Sequence, residues 1–259
     1  MSGILLTGAS RGLGAALARR LAAPGVTLGL IARSEAGLRE TAAACEARGA
    51  AVRIAPLDVR DAASMARTVH AWDAEVPTSL VIANAGISAG TRPGGAPETT
   101  GDAVAQVSVN LLGAMHLVGP LLPALRARRA GRIGLVASLA AFRGLPDSPG
   151  YCASKAGLWA WGESLRAGLL RSGVGVTLLA PGFFDSAMGA RWEGKRPFSL
   201  STDAAAARCE RALRAGRAAD AFPWPLHLGL RLLTVLPAPL ADRGARLMRF
   251  RVREEEERP

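Results

Sequence analysis

The sequence predicts an α/β fold: a doubly wound, mostly parallel sheet of six to seven strands with helices on both faces, followed by a helical C-terminal extension. Three observations carry this. Short apolar runs without polar alternation, as expected of strands buried on both faces, alternate with Ala-rich segments that read as helices. The first of these runs passes directly into a glycine-rich turn and then into a helix. A chain of 259 residues, 49% hydrophobic and with 30 glycines, is long enough for one large core.

Ile4–Thr7 is the first strand, and TGASRGLG, residues 7–14, is the turn after it. In the helix that follows, Leu13, Leu17 and Leu21 share one face, and Pro24 and Gly25 end it. Gly8 permits the tight bend, Gly12 lets backbone N–H groups approach a pyrophosphate, and Gly14 lets helix pack on strand; Ser10, Arg11 and Leu13 complete the loop. The spacing is G-x-x-x-G-x-G rather than G-x-G-x-x-G, so the loop is longer, and a glycine turn without a ligand is the competing reading. Val26–Ile31 is the second strand. A fold selecting NAD usually ends this strand with an acid; here Ala32, Arg33 and Ser34 stand instead. With Arg11 in the loop, two arginines and no acid predict a 2′-phosphate, hence NADP. Otherwise Arg33 is a solvated charge at a helix start.

Ser34–Arg48 is a polar helix and Ala51–Leu57 the third strand. Asp58, with Val59 beside it, lies just past that strand, where its carboxylate either accepts from an adenine amine or serves as a turn residue. Asp61 caps a helix to about Trp72. Ser79–Ala83 is the fourth strand, closed by Asn84, Ala85 and Gly86. A long helix from about Thr100 to Arg129 carries Asn110 at its middle, where a buried amide needs partners. Arg132–Ala137 is the fifth strand, with Ser138 beyond its carboxyl end, where such sheets bind ligands. The loop 142–150 leads into a helix that runs to about Arg171. Val174–Leu179 is the sixth strand, and PGFFDSAM, residues 181–188, follows it. Ser201–Asp203 cap a helix to about Ala215, and Ala219–Phe222 is a short seventh strand. Residues 1–222 therefore form the dinucleotide-binding and catalytic domain, and 223–259 an apolar, basic extension.

Tyr151 is the only tyrosine, and Lys155, one turn further along the same helix face, is one of two lysines; the remaining basic residues are arginines. An ammonium there lowers the phenol from its usual ~10 towards the range of a working proton donor. On spacing alone, a surface pair explains the same residues.

TGASRGLG at 7–14, ANAG at 83–86, Asn110, Ser138, Tyr151-x-x-x-Lys155 and Pro181-Gly182 together resemble the short-chain dehydrogenase/reductase family, in its order, over about residues 3–186. The family often reads NNAG where Ala83 stands here. The resemblance implies a Rossmann-type sheet, a nicotinamide cofactor and hydride transfer between it and a carbonyl or alcohol. It makes Tyr151 the general acid, Ser138 the holder of the carbonyl oxygen and Lys155 the residue that lowers the tyrosine pKa and bonds the nicotinamide ribose. It makes Asn110 part of the proton return. It assigns Pro181, Gly182, Phe184 and Ser186 to the nicotinamide side of the site. Residues 183–200, with Phe183, Phe184, Met188, Trp192 and Phe198, would cap a hydrophobic substrate or simply pack on the core.

The function expected is an NADP-dependent oxidoreductase acting on a small-molecule carbonyl or alcohol. The alternatives are a 3-oxoacyl-thioester reductase and a catalytically silent cofactor-binding scaffold. The formal net charge of +11 invites nucleic acid, but 5% aromatics and no basic–aromatic interleaving exclude a stacking platform. Arg208, Arg211, Arg214 and Arg217 read as a solvated helix face, and Glu254–Glu257 as a frayed tail. Three widely spaced cysteines and scattered histidines give no disulfide framework and no metal site. The chain opens almost directly in a strand, and no uninterrupted apolar run reaches the ~20 residues that span a bilayer, so a cytoplasmic location is expected. The extension, apolar from Leu226 to Leu236, is expected to pack on its own domain or a partner first and to touch a membrane surface second. It replaces the strand terminus with which many relatives build tetramers. A homodimer through the Asn110 and Tyr151 helices is expected instead.

Overall fold

The computed structural model describes residues 2–249 and 251–253; the run Glu254–Glu257 lies outside the described residues. The parallel strands are β1 (Ser2–Thr7), β2 (Val26–Ala32), β3 (Ala51–Pro56), β4 (Thr78–Ala83), β5 (Arg132–Val136), β6 (Gly175–Pro181) and, after the short β7 (Trp192–Glu193), β8 (Ala219–Phe222). They form one seven-stranded sheet in the order β3-β2-β1-β4-β5-β6-β8. This is the expected doubly wound fold. Because β1 pairs in parallel with both β2 and β4, the order in which strands are added reverses there, and the crevice beyond the carboxyl ends of β1 and β4 is where such a sheet takes a ligand.

One face is covered by α1 (Gly12–Leu21), α2 (Glu35–Glu46) and α9 (Thr202–Arg214). Leu13, Leu17 and Leu21 of α1 meet Ala205, Cys209 and Leu213 of α9 in a single core. The other face is covered by α3 (Ala62–Glu75), then α4 (Thr100–Val107), α5 (Gly113–Val118) and α6 (Leu122–Arg128), and by α7 (Pro149–Leu169). Met65, Val69, Leu117, Leu125 and Leu158 anchor that layer.

The long helical segment expected over 100–129 runs continuously over 100–128, with a π-turn at Ser108–Leu112 between α4 and α5 and a 3-10 turn at Gly119–Leu121, containing Pro120, between α5 and α6. By length and composition this stretch is apolar enough to cross a membrane, although no uninterrupted run showed it. It lies against α3, β4 and α7, and Val104 and Leu112 remain exposed. One expectation needs correction: the arginine row that begins on α9 is not merely solvated. Arg208 holds the buried Asp220 through two hydrogen bonds of 2.9 and 3.1 Å and lies 4.7 Å above the Phe222 ring. The strand β8 supplies that partner, so the helix pattern alone did not reveal it.

Beyond β8 the chain folds back over the domain. The inner face of α10 (Trp224–Val235) sets Leu226 and Leu230 into the core that contains Tyr151. After α11 (Ala238–Ala245), the final strand β9 (Arg251–Val252) pairs antiparallel with β7. Val252 N–H donates to the Thr91 carbonyl at 2.9 Å, and Arg251 donates to the buried Asp147 carboxylate at 2.8 Å.

Candidate active site

The glycine loop is built by close approach. Gly8 sits at φ 68°, and a Cβ there would lie 2.8 Å from Ala85 Cα. A Cβ on Gly14 would lie 2.1 Å from the Gly8 carbonyl oxygen, so this glycine lets α1 start against the loop itself as much as against β1. Asn84 ties the ends of β1 and β4 together: its Nδ2 donates to the Thr7 carbonyl at 3.0 Å, while Asn84 and Ala85 N–H both donate to Thr7 Oγ1 at 3.1 and 3.2 Å. The amide is thus a brace for the loop.

These residues fit a dinucleotide phosphate. The first turn of α1 has no side-chain cap and no acidic residue, so its N–H groups and dipole face outward uncompensated. At Gly12, φ 55°, a Cβ would meet nothing within 4 Å. Leu13 is buried in the core behind it. Exposed Arg11 and partly buried Ser10 border the opening. A Cβ on Gly37 would lie 2.7 Å from the Ser10 carbonyl, so this loop abuts the first turn of α2, which Ser34 caps and exposed Arg33 precedes. Arg11 and Arg33 therefore border one edge of the crevice, and Ala32 ends β2.

Asp58 stands just past β3 and is bonded within its own turn. Arg60 binds both its oxygens, at 2.7 to 3.1 Å, and the Arg60 N–H donates to it at 2.9 Å, so the carboxyl is held below its ordinary range. Val59 is buried against α5, where a Cβ on Gly113 would lie 2.5 Å from its Cγ2.

At the other end of the crevice, Ser138 follows β5 and its Oγ accepts from Ala140 N–H at 3.2 Å. Burial pushes the Tyr151 phenol up to about 12, and the neighbouring Ser138 side chain pulls against the rise. Lys155 Nζ lies 5.8 Å from the Tyr151 ring centroid and donates to the Val136 carbonyl at 2.9 Å. Burial brings its ammonium down to about 8. The lowering of the tyrosine by the lysine, expected from their spacing, is not what this geometry shows: desolvation governs both groups.

Asn110 sits in the π-turn, buried, with its amide engaged. Its Oδ1 accepts from Ile87 N–H at 2.8 Å, and its Nδ2 donates to the Ile87 carbonyl and to Ser154 Oγ at 3.0 and 2.9 Å. A Cβ on Gly86 would stand 3.3 Å from Asn110 Oδ1 and 3.4 Å from Lys155 Nζ, so Gly86 keeps open a small polar niche between them. Pro181 ends β6, and Gly182 N–H donates to the Phe222 carbonyl at 2.7 Å. A Cβ on Gly182 would sit 3.0 Å from Pro223. Phe184 bridges to Leu200, and Ser186 caps the short α8 (Ala187–Ala190).

Trp192 on β7, one of the aromatics expected to cap a substrate, stands edge-on to Tyr151, with centroids 6.2 Å apart, and to Phe183, at 5.5 Å. Two positions were not singled out from the sequence. Gln106 and Glu98 hold the start of α7: Gln106 donates to Glu98, which accepts from Gly150 N–H at 2.6 Å, and Gln106 accepts from Ala89 N–H at 2.8 Å. A sequence signal existed, because Gln106 and Asn110 place two amides one turn apart on a largely apolar helix.

The fold and this crevice define a dinucleotide-binding oxidoreductase. The short chain dehydrogenase family model matches residues 2–197, and the chain belongs to the short-chain dehydrogenase/reductase family. It is 37% identical over 246 residues to an uncharacterized oxidoreductase of Myxococcus xanthus, covering 95% of this chain and 96% of that one. It is 39% identical over 182 residues to the ketoacyl reductase HetN of a Nostoc species, covering 70% of this chain and 62% of that protein. Among solved structures, a tryptophan variant of actinorhodin polyketide ketoreductase with NADPH superposes with a TM-score of 0.77 at 25% identity, covering 87% of this chain and 97% of that one. Similar folds hold NADPH in one case and NAD in another.

Proposed function

We propose that the chain is an NADP-dependent oxidoreductase that moves a hydride between the cofactor and a carbonyl or secondary alcohol of a hydrophobic substrate. The observation that carries this is the juxtaposition of the Ser138 and Tyr151 side chains beyond β5, with Lys155 buried beside them, its Nζ 5.8 Å from the Tyr151 ring centroid. The bound nicotinamide supplies or accepts the hydride. A phenol raised to about 12 stays protonated at neutral pH, so in reduction Tyr151 Oη gives its proton to the substrate oxygen as charge develops there. Ser138 Oγ holds the same oxygen. Lys155 and Asn110, on either side of Gly86, return the proton. Trp192 and Phe183 give the substrate an apolar wall.

The preference for NADP rests on Arg11 and Arg33 where an acid would select NAD. Titration of both cofactors tests it. NADP should bind the tighter, and Arg33→Asp should narrow or invert the ratio by about ten- to a hundredfold, the worth of one charge-assisted hydrogen bond. Equal affinities, or an unchanged ratio in the variant, would overturn the preference. The second reading, a 3-oxoacyl-thioester reductase, is favoured by the likeness to a ketoacyl reductase. Turnover of acyl-thioester ketones well above that of simple ketones would select it. Exposed Val104 and Leu112 beside the π-turn support a homodimer packed along α4, α5 and α7.

A further inference from the structure

Helix α10 is apolar on both faces. Leu226, His227 and Leu230 point inward; His227 stacks on Phe142 at 4.6 Å, and Leu230 is buried. On the opposite side, Trp224, Leu228, Leu232 and Val235 fall on one helical stripe and are 50% to 77% exposed. The stripe continues through exposed Leu236 and Leu240 to Leu247, 87% exposed. Packing of α11 on α10 does not cover it: that contact uses Leu233 against Gly244, where a Cβ would lie 2.6 Å from Leu233 Cδ2. A helix with apolar residues on its outward face needs a second apolar phase or a partner.

The charges around the stripe decide which. Residues 224–253 contain six arginines and one acid, Asp242, which Arg143 holds at 2.6 Å; four glutamates, Glu254–Glu257, follow in the sequence. Arg249 and Arg251 pair with Asp147, and Arg253 with Glu193. Arg243 and Arg246 are exposed next to Leu240 and Leu247 and carry the positive charge of this face. A second copy would bring the same cationic rim against itself, on chains of formal net charge +11. An anionic bilayer meets both features, since acyl chains take the leucines, headgroups take the arginines and Trp224 suits the interface between them. We infer that the outer face of α10 and α11 docks the protein peripherally on an anionic membrane surface. The inner face of the same helix packs on the core that holds Tyr151, so docking would set the cleft close to the lipid.

The test uses the full chain and vesicles of neutral phosphatidylcholine, with and without 30 mole per cent phosphatidylglycerol as an experimental choice. Flotation with the anionic vesicles only, reduced by salt, is expected. Replacing both Leu228 and Leu232 by Glu should abolish flotation. Each of Arg243→Ala and Arg246→Ala should weaken the partition about fivefold. The substituted side chains are exposed, so NADPH binding and the melting temperature should stay at wild-type values and serve as the folding control. Two results would overturn the inference. One is no flotation of the wild type. The other is an oligomer that the double leucine variant dissociates in sedimentation, which would give the face to a second copy.

Discussion

Lys155 makes the stability of the protein depend on pH in a direction that can be worked out beforehand. Burial lowers its folded-state value from 10.5 to about 8. Between those values the unfolded chain binds the proton and the folded chain does not, so stability rises as pH rises from about 8 towards 10.5. At 1.36 kcal/mol per pH unit, the full gain is on the order of 3 kcal/mol. Other buried groups act oppositely. Cys45 and Cys152, raised to about 11, Cys209, raised to about 12, and Tyr151, raised from 10 to about 12, each keep a proton in the folded state that the unfolded chain has lost. Their contribution falls away above about pH 9 for the thiols and about pH 10 for the phenol. A difference measurement isolates the lysine. Urea unfolding of the cofactor-free wild type and of Lys155→Met should be compared at pH 7, 8, 9 and 10. The methionine variant should be the more stable of the two at pH 7, apart from the roughly 1 kcal/mol lost with the hydrogen bond to Val136. That advantage should shrink by about 2 kcal/mol by pH 10. A difference independent of pH over this range would refute a buried, desolvated amine at this position.

Two further outcomes concern the closing segment. Trp192→Ala removes two edge-on ring contacts, each worth about 0.5–1.5 kcal/mol, and should raise KM for hydrophobic ketones about tenfold with a smaller effect on kcat. Steady-state kinetics check this, and an unchanged KM would remove Trp192 from the substrate wall. Arg251→Ala removes the partner that holds the buried Asp147 carboxylate at 2.8 Å, whereas Arg249 stands 3.7 Å away. It should cost roughly 1–3 kcal/mol and open the segment around β9 to limited proteolysis.

The sheet was legible because each strand announces itself locally. β1 runs into the glycine loop, β4 into Asn84-Ala85-Gly86 and β5 into Ser138, and helices between the apolar runs imply parallel strands. The expected boundaries lie within a few residues of those observed. What was not legible depends on contacts between distant parts of the chain. Nothing near Asp147 shows that Arg251, far along the sequence, bonds it, and nothing near Trp192 shows that β9 pairs with β7. The pair of Tyr151 and Lys155 could be read as positions but not as energetics. Spacing predicted an ammonium that acidifies the phenol, whereas enclosure shifts both groups toward their neutral forms. Asn110 shows the same division. Its need for partners was evident from an amide in an apolar helix, but the π-turn that aims it at Ile87 and Ser154 was not.

Tyr151 as the proton donor is tested most directly by single-turnover and steady-state assays of Tyr151→Phe with NADPH and a hydrophobic ketone. The variant keeps the ring and its packing against Trp192 and loses only the hydroxyl. The expected result is NADPH affinity within about twofold of wild type and turnover reduced by about 10²–10⁴-fold, the usual contribution of a positioned general acid. Turnover within a few-fold of wild type, with the cofactor still bound, would contradict it.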